Sequence, residues 1–458
     1  MSALPWSNPK PQLMKGSPVD SYERMREREL GLSRLLMFYI LGGLLFMLLP
    51  GTFLGVWNLI SISGRRAADS VSPAWIQAHG HAQVLGWIGS FILGIGYYSI
   101  PKLRRGAGTF ALRSAWFTAV LWMTGVLLRW LANVYLWHWR VLLPASAAME
   151  LAAFLIFFHA VSQHKPEARQ DKKAKLETWI FVVIVGTVGL MTTLLLNLSA
   201  SVWLALKETG PAFSPGFDQR FLVVAAWGFM VPFVWGFSAK WLPTFLGTRC
   251  ISERWLAVGA AALVAGVAFG LSGWFLPSML TVLAAAVLVI LALGIFSQAQ
   301  KPAKTQGVHA SFPYFVRSAY VWLLIAAALE IWAAVAVNPS GIWGASRHAL
   351  TVGFISMTVF CVGQRVLPAF SGMRLLYSSK LMLAGLLALT CGCALRVTGE
   401  VLAYQEMLKS AWSWLPYSAV LELAAVTIFA MNLVLTFLQN PAVQNRLTYK
   451  RNAGQPMP

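Results

Sequence analysis

Apolar residues fall in long blocks separated by short polar segments along almost the whole chain. A helix that crosses a bilayer needs about 20 such residues in a row. Twelve blocks meet that length, near 33–60, 77–101, 113–134, 141–163, 178–206, 219–246, 255–273, 277–298, 314–337, 345–368, 379–402 and 414–438. The pattern predicts an all-α membrane protein with a cytoplasmic N-terminal segment (1–32), a twelve-helix transmembrane domain (33–440) and a cytoplasmic tail (441–458). The first 32 residues hold the charged run Glu23 to Glu29 and no apolar core, so no cleavable signal peptide is expected.

The blocks repeat. In span 2, His81 is followed by Gly86, Gly96 and Pro101; in span 10, His348 is followed by Gly353, Gly363 and Pro368 at the same offsets. Span 6 keeps the frame with Gly228 and Pro243 but has Val223 at the histidine position. Arg129 lies 48 residues after His81 and Arg396 lies 48 after His348, each four residues after a glycine (Gly125, Gly392). Pro144 precedes Glu150 by six residues and Pro416 precedes Glu422 by six; in span 8, Pro277 has Leu283 at that offset. A shared frame of this kind is a fold-level signal. It predicts three tandem four-helix units (about 33–163, 178–298 and 314–438) in a pseudo-threefold arrangement, the middle one without the His/Arg/Glu set.

Charge adds orientation. Arg65, Arg66, Arg140, Lys207 and Lys409 are the basic residues of the odd-to-even loops, and most of the others lie in the even-to-odd loops and termini. The positive-inside rule then places both termini in the cytoplasm. Lys172, Lys173 and Lys175 become a cytoplasmic loop that needs no ligand. A composition of 58% apolar and 11% charged residues makes an ordinary soluble enzyme improbable. The formal charge of +20 belongs to a membrane rim rather than to a nucleic-acid surface. Cys250, Cys361, Cys391 and Cys393 are too few and too apolar in setting for a disulfide scaffold.

With this orientation the two histidines sit about 30 Å from the inner prolines, at a common depth near the outer edge of the membrane. Arg129, Arg396, Glu150, Glu422, Glu330 and Glu400 also lie toward that side. Charge inside a membrane helix is costly and marks function. Two neutral imidazoles on separate helices at one depth can ligate a haem iron on both faces. His81 and His348 are the candidate axial ligands, and nearby glycines would let a flat macrocycle approach the backbone. Arg129 and Arg396 would pair with its propionates. The bland alternative joins the histidines across helices and pairs the arginines with Glu150 and Glu422, two carboxylates that otherwise stand as candidates to hydrogen-bond and orient the ligands. His79 points about 200° from His81 and is a candidate for a second metal or haem, or for the aqueous rim. His138 lies between Trp137 and Trp139 in an outer loop and is a weak ligand candidate. No role falls to His159, His164 or His309. Lys240 and Arg365 precede Pro243 and Pro368 by three residues and read as inner-rim residues, or as contacts to a quinone headgroup. Asn197-Leu198-Ser199 matches a glycosylation pattern inside a span and is read as meaningless. No phosphate loop, dinucleotide fingerprint or haem-attachment motif is present, so any haem is held without a covalent link.

At these residues the chain resembles the NnrS family of bacterial membrane haem proteins. The elements are His79-Gly80-His81 with Gly86 and Pro101, His348 to Gly353 with Pro368, and span 6 from Trp227 to Pro243, within a resemblance covering about 35–440. More distantly the twelve helices look like the catalytic subunit of haem-copper oxidases and nitric oxide reductases, where helices 2 and 10 supply the low-spin haem ligands. Leu367 to Gly372 also looks like the end of that helix 10. Two departures matter. Ser346 stands where the high-spin haem ligand is expected, and spans 6 and 7 carry no histidine for a second metal. Ala82 also follows His81 where many family members have an acid.

The resemblance implies haem b, with copper as a further cofactor, in a bacterial inner membrane, and a role in the response to nitric oxide. Quinol or a periplasmic donor would supply electrons, nitric oxide would be a ligand, and nucleic acid is not expected. The alternatives are a non-enzymatic haem or copper carrier, sensor or assembly factor, and a secondary transporter, which three parallel units fit poorly.

Overall fold

The computed structural model describes residues 18–103, 111–162, 177–249, 251–305, 307–371 and 375–439. The Lys172–Lys175 run, Cys250, His164 and the tail beyond 439 lie outside them. Twelve helices are long and apolar enough to cross a membrane. They are α1 (Arg26–Arg65), α2 (Pro73–Ile100), α3 (Leu112–Val134), α4 (Trp139–Ser162), α5 (Thr178–Lys207), α6 (Pro215–Leu246), α7 (Glu253–Leu271), α8 (Phe275–Leu293), α9 (Phe312–Val335), α10 (Ser340–Phe370), α11 (Ser379–Tyr404) and α12 (Ala411–Leu438). The chain is an all-α multi-pass membrane protein. The start of α1 and the end of α12 lie at one end of the bundle, called here the terminal end; the other is the distal end.

The first helix begins at Pro18, inside the segment expected to precede the membrane. Arg and Glu are good helix formers, so the charged run continues the helix instead of ending it. The prolines of α2, α6 and α10 also do not end their helices, which run on to Leu103, Leu246 and Phe370.

Three helix hairpins, α3–α4, α7–α8 and α11–α12, are built on one contact. A methyl group on Gly125 would stand 3.1 Å from the Ser146 carbonyl oxygen and 2.9 Å from Glu150 Cγ. On Gly392 it would stand 3.2 Å from the Ser418 oxygen and 2.9 Å from Glu422 Cγ. On Gly266 it would stand 3.1 Å from the Ser278 oxygen and 2.8 Å from Val282 Cγ2. Val282, rather than Leu283, therefore occupies the carboxylate position of the middle hairpin, because Ser278 directly follows Pro277 whereas Ser146 and Ser418 follow their prolines by two residues. Small residues let membrane helices approach closely, and dispersion then holds them.

Helices α2, α6 and α10 share a second device. Each opens with a nine-residue α-helical piece, Pro73–His81, Pro215–Val223 and Ser340–His348. Each then widens into a π-helical stretch, Ala82–Gly89, Val224–Met230 and Ala349–Ser356. His81, Val223 and His348 thus sit at one depth, about 12 Å along the helix from the distal end. A further π-helical stretch, Met47–Phe53, surrounds Pro50 in α1. π-Helical turns are rare and gather at functional sites.

Candidate ligand cavity and its histidines

The π-helical stretches surround a cavity of about 430 Å³ in the distal half of the bundle. Its wall comes mainly from α1, α2, α6, α10, α11 and α12, and it includes His79, His81, His348, Arg129, Arg396, Glu400 and Glu422. The sequence-predicted residues are thus brought to one place, but in different roles.

His79 and His348 are oriented alike. His79 Nδ1 donates to the Gly51 carbonyl at 2.8 Å, and His348 Nδ1 donates to the Gly344 carbonyl at 2.9 Å. A carbonyl oxygen only accepts, so each Nδ1 carries the proton and each Nε2 keeps its lone pair. Both residues line the same cavity. Gly51 offers its oxygen from the π-helical stretch after Pro50. Gly55, one turn on, makes room for the ring: a methyl there would stand 2.7 Å from His79 Cε1. Gly80 lines the cavity, and nothing lies within 4 Å of where its methyl would be.

His81 faces a different partner. Its Nε2 is 2.7 Å from Glu150 Oε1, and Glu150 is wholly buried. Glu150 Oε2 accepts from Asn197 Nδ2 at 3.1 Å, and Asn197 Oδ1 accepts from Arg129 Nη1 at 3.0 Å. Arg129 Nη1 also reaches Ser201 Oγ at 3.2 Å, and its guanidinium lies 4.8 Å from the Phe213 ring centroid. A chain of side chains thereby links α2, α4, α5 and α3. Asn197, dismissed in the sequence as a stray glycosylation match, is its centre. The available signal was a buried polar residue inside a 30-residue apolar helix.

The equivalent residues in the last four helices do not repeat this chain. Arg396 Nε lies 3.3 Å from Glu400 Oε2, one turn along α11, and His348 Nδ1 lies 3.5 Å from the same oxygen. Glu400 fits because the neighbouring position is Gly344, whose methyl would collide with Glu400 Oε1. Glu422 Oε1 and Arg396 Nη1 are buried without a hydrogen-bonding partner. The two sets match in residue type and spacing but differ in contacts, since the partner helices differ: α5 supplies Asn197, while α11 supplies its own Glu400.

Several other residues take different places from those the sequence suggested. Gly86, Gly96 and Gly353 do not open the cavity; methyls there would strike Phe46, Phe157 and Trp322, so these glycines serve helix packing. Sequence reasoning assigned no role to Arg347, which hydrogen-bonds Gln219, or to Trp227, whose indole nitrogen donates to Glu330 at 3.1 Å. His138 and His159 are exposed, and His309 bonds Ser311. Lys240 pairs with Glu177 at 3.0 Å, and Arg365 stacks over Phe245. Ser346, at the expected high-spin position, donates to the Ala326 carbonyl. Among the described residues no three His, Cys, Asp or Glu side chains converge as a metal site.

Residues 219–437 match a family model described as a domain of unknown function, DUF8744. No curated protein matches the chain. The fold is similar to that of a chain in the cryo-EM structure of a heme-copper terminal oxidase dimer, with a TM-score of 0.55 and 14% identity, covering 89% of this chain and 84% of that one. At that identity the likeness is one of fold.

Proposed function

We propose that this protein binds haem b in the distal cavity and acts, as an NnrS-type protein of a bacterial inner membrane, in the response to nitric oxide. One observation carries the reading: His79 and His348 line one cavity, and each is fixed by an Nδ1–H bond to a backbone carbonyl that leaves the ring's lone pair on Nε2. Metal-ligating histidines are held in this way, because the second bond sets both tautomer and ring orientation. His79, rather than His81, is then the partner of His348.

Other features of the site support the fit. The cavity volume lies within the range of about 300–1,000 Å³ usual for ligand sites. Leu59, Ile62, Leu389 and Val426 give it apolar walls, and Arg396 Nη1 lacks an acceptor that a propionate would provide. Bound there, haem supplies one-electron chemistry. The chain's own residues do the rest. Gly51 and Gly344 hold the imidazoles in the ligating tautomer, Arg396 neutralises negative charge, and the apolar wall excludes water. His81 and Glu150 brace α2 from behind. His79 and His348 would hold the haem, which would supply electron transfer from a quinol or a periplasmic donor, with nitric oxide as its ligand. A non-enzymatic haem carrier or sensor uses the same site. Turnover of nitric oxide with a quinol donor separates the two.

The test is the oxidised and dithionite-reduced visible spectrum of the purified protein and of three variants. His79→Ala and His348→Ala are expected to lose the sharp reduced alpha band, and His81→Ala to keep it. Wild-type protein made with ample haem and lacking a Soret band overturns the reading.

A further inference from the structure

Beneath the histidine cavity, toward the terminal end, lies a second and smaller chamber of about 100 Å³ between α2, α6 and α10. It starts at the ends of the stretches Ala82–Gly89, Val224–Met230 and Ala349–Ser356, and a further π-helical stretch of α10, Val359–Gly363, lies in its wall. Ile88, Met230 and Ile355, one from each helix, line both spaces, so a single layer of side chains separates them. The extra residue in each π turn shifts the side chains that follow, and the three helices no longer meet tightly at the centre. Phe91, Ile95, Phe233, Phe237, Val359 and Val362 face the gap. Toward the terminal end of the same three helices, Tyr98 and Trp241 both pack on Phe370, at 4.9 and 6.4 Å between ring centroids.

The chamber is unsuited to water. Its only hydroxyls are those of Ser238 and Thr358, and Thr358 Oγ1 donates to the Phe354 carbonyl of its own helix at 2.7 Å. A buried water needs about 2–4 polar partners, whereas apolar cavities of about 150 Å³ stay dry and accept xenon. The walls are too close for a lipid headgroup and carry no charge.

We propose that this chamber is a binding site for one small, neutral, apolar molecule, of the diatomic-gas class, held one side-chain layer from the histidine cavity. The inference rests on the shape and dryness of the chamber and stands independently of haem. Bound gas gains dispersion contacts on all sides that it lacks in water. It would be stored next to the place where the proposed function needs it.

Xenon is the probe. Crystals of the full chain pressurised with xenon are expected to show one anomalous peak between Ile95, Val234 and Val359, and xenon-129 spectra of the detergent-solubilised protein should report a slow or shifted site. Val359→Phe and Ile92→Trp fill the chamber from two different helices. Either variant, once shown to be folded by its thermal transition, should lose the peak. His348→Ala should keep it, so a failure of the haem reading leaves this result intact. Ordered water or no xenon in the wild-type chamber, or a peak that survives both filling variants, overturns the proposal.

Discussion

At the residue scale, tautomer control separates two histidines that the sequence places only two positions apart. His79 gives its Nδ1 proton to Gly51, and His81 gives its Nε2 proton to Glu150. One ring is left with an outward-facing lone pair and the other is tied to a carboxylate. Gly55→Ala tests the first arrangement: its methyl would stand 2.7 Å from His79 Cε1, so the ring must turn. The expected result is a weakened or altered haem spectrum with the thermal transition little changed. Glu150→Ala tests the second. It strands the His81 nitrogen and the Asn197 amide in a buried setting, a loss of about 2 kcal/mol, read as a lower midpoint in chemical or thermal unfolding. Glu422→Ala removes an oxygen that has no hydrogen-bonding partner and should destabilise less. Equal losses in the two variants would contradict the difference between the two sets.

At the element scale, the helix crossings depend on a few glycines. A methyl on Gly189 of α5 would collide with the Gly228 carbonyl of α6, a backbone atom that cannot rotate away. Gly189→Ala should therefore prevent the α5–α6 contact and sharply lower the yield of folded protein. Gly216→Ala, where nothing lies within 4 Å, should be tolerated in yield and in thermal midpoint. The periodic glycines of α2, α6 and α10 were read in the sequence as room for a cofactor. Gly86, Gly96 and Gly353 prove to be packing positions because each points at a side chain of a neighbouring helix. A spacing pattern on one helix cannot show which neighbour it meets, so this error was not avoidable from the chain alone.

At the scale of the whole molecule, the buried His, Arg and Glu side chains of the described residues, His81, Arg129, Glu150, Glu330, Arg396 and Glu400, gather toward the distal half, in or next to the wall of one cavity. Arg129, Asn197 and Glu150 bind α2, α3, α4 and α5 together, and Arg396 with Glu400 and His348 serves α10 and α11. The loop charges predict that the terminal end faces the cytoplasm. Reporter fusions check this: fusions after residue 439 should be active with a cytoplasmic reporter, and fusions in the α3–α4 loop with a periplasmic one. The reverse pattern would place the histidine cavity on the cytoplasmic side and exclude a periplasmic electron donor.

The chain by itself determined the number of helices, their approximate limits, the common depth of His81 and His348, and the recurrence of Gly, Arg and Glu at fixed spacing. These follow from local rules, since bilayer thickness fixes block length and helical rise converts spacing into depth. Only the tertiary structure decided which histidine shares a cavity with His348, which acid each arginine meets, and that a dry chamber lies below. Those outcomes depend on the rotation of each helix against its neighbours, set by packing among residues far apart in sequence. The π-helical turns that shift this rotation also leave no mark in composition.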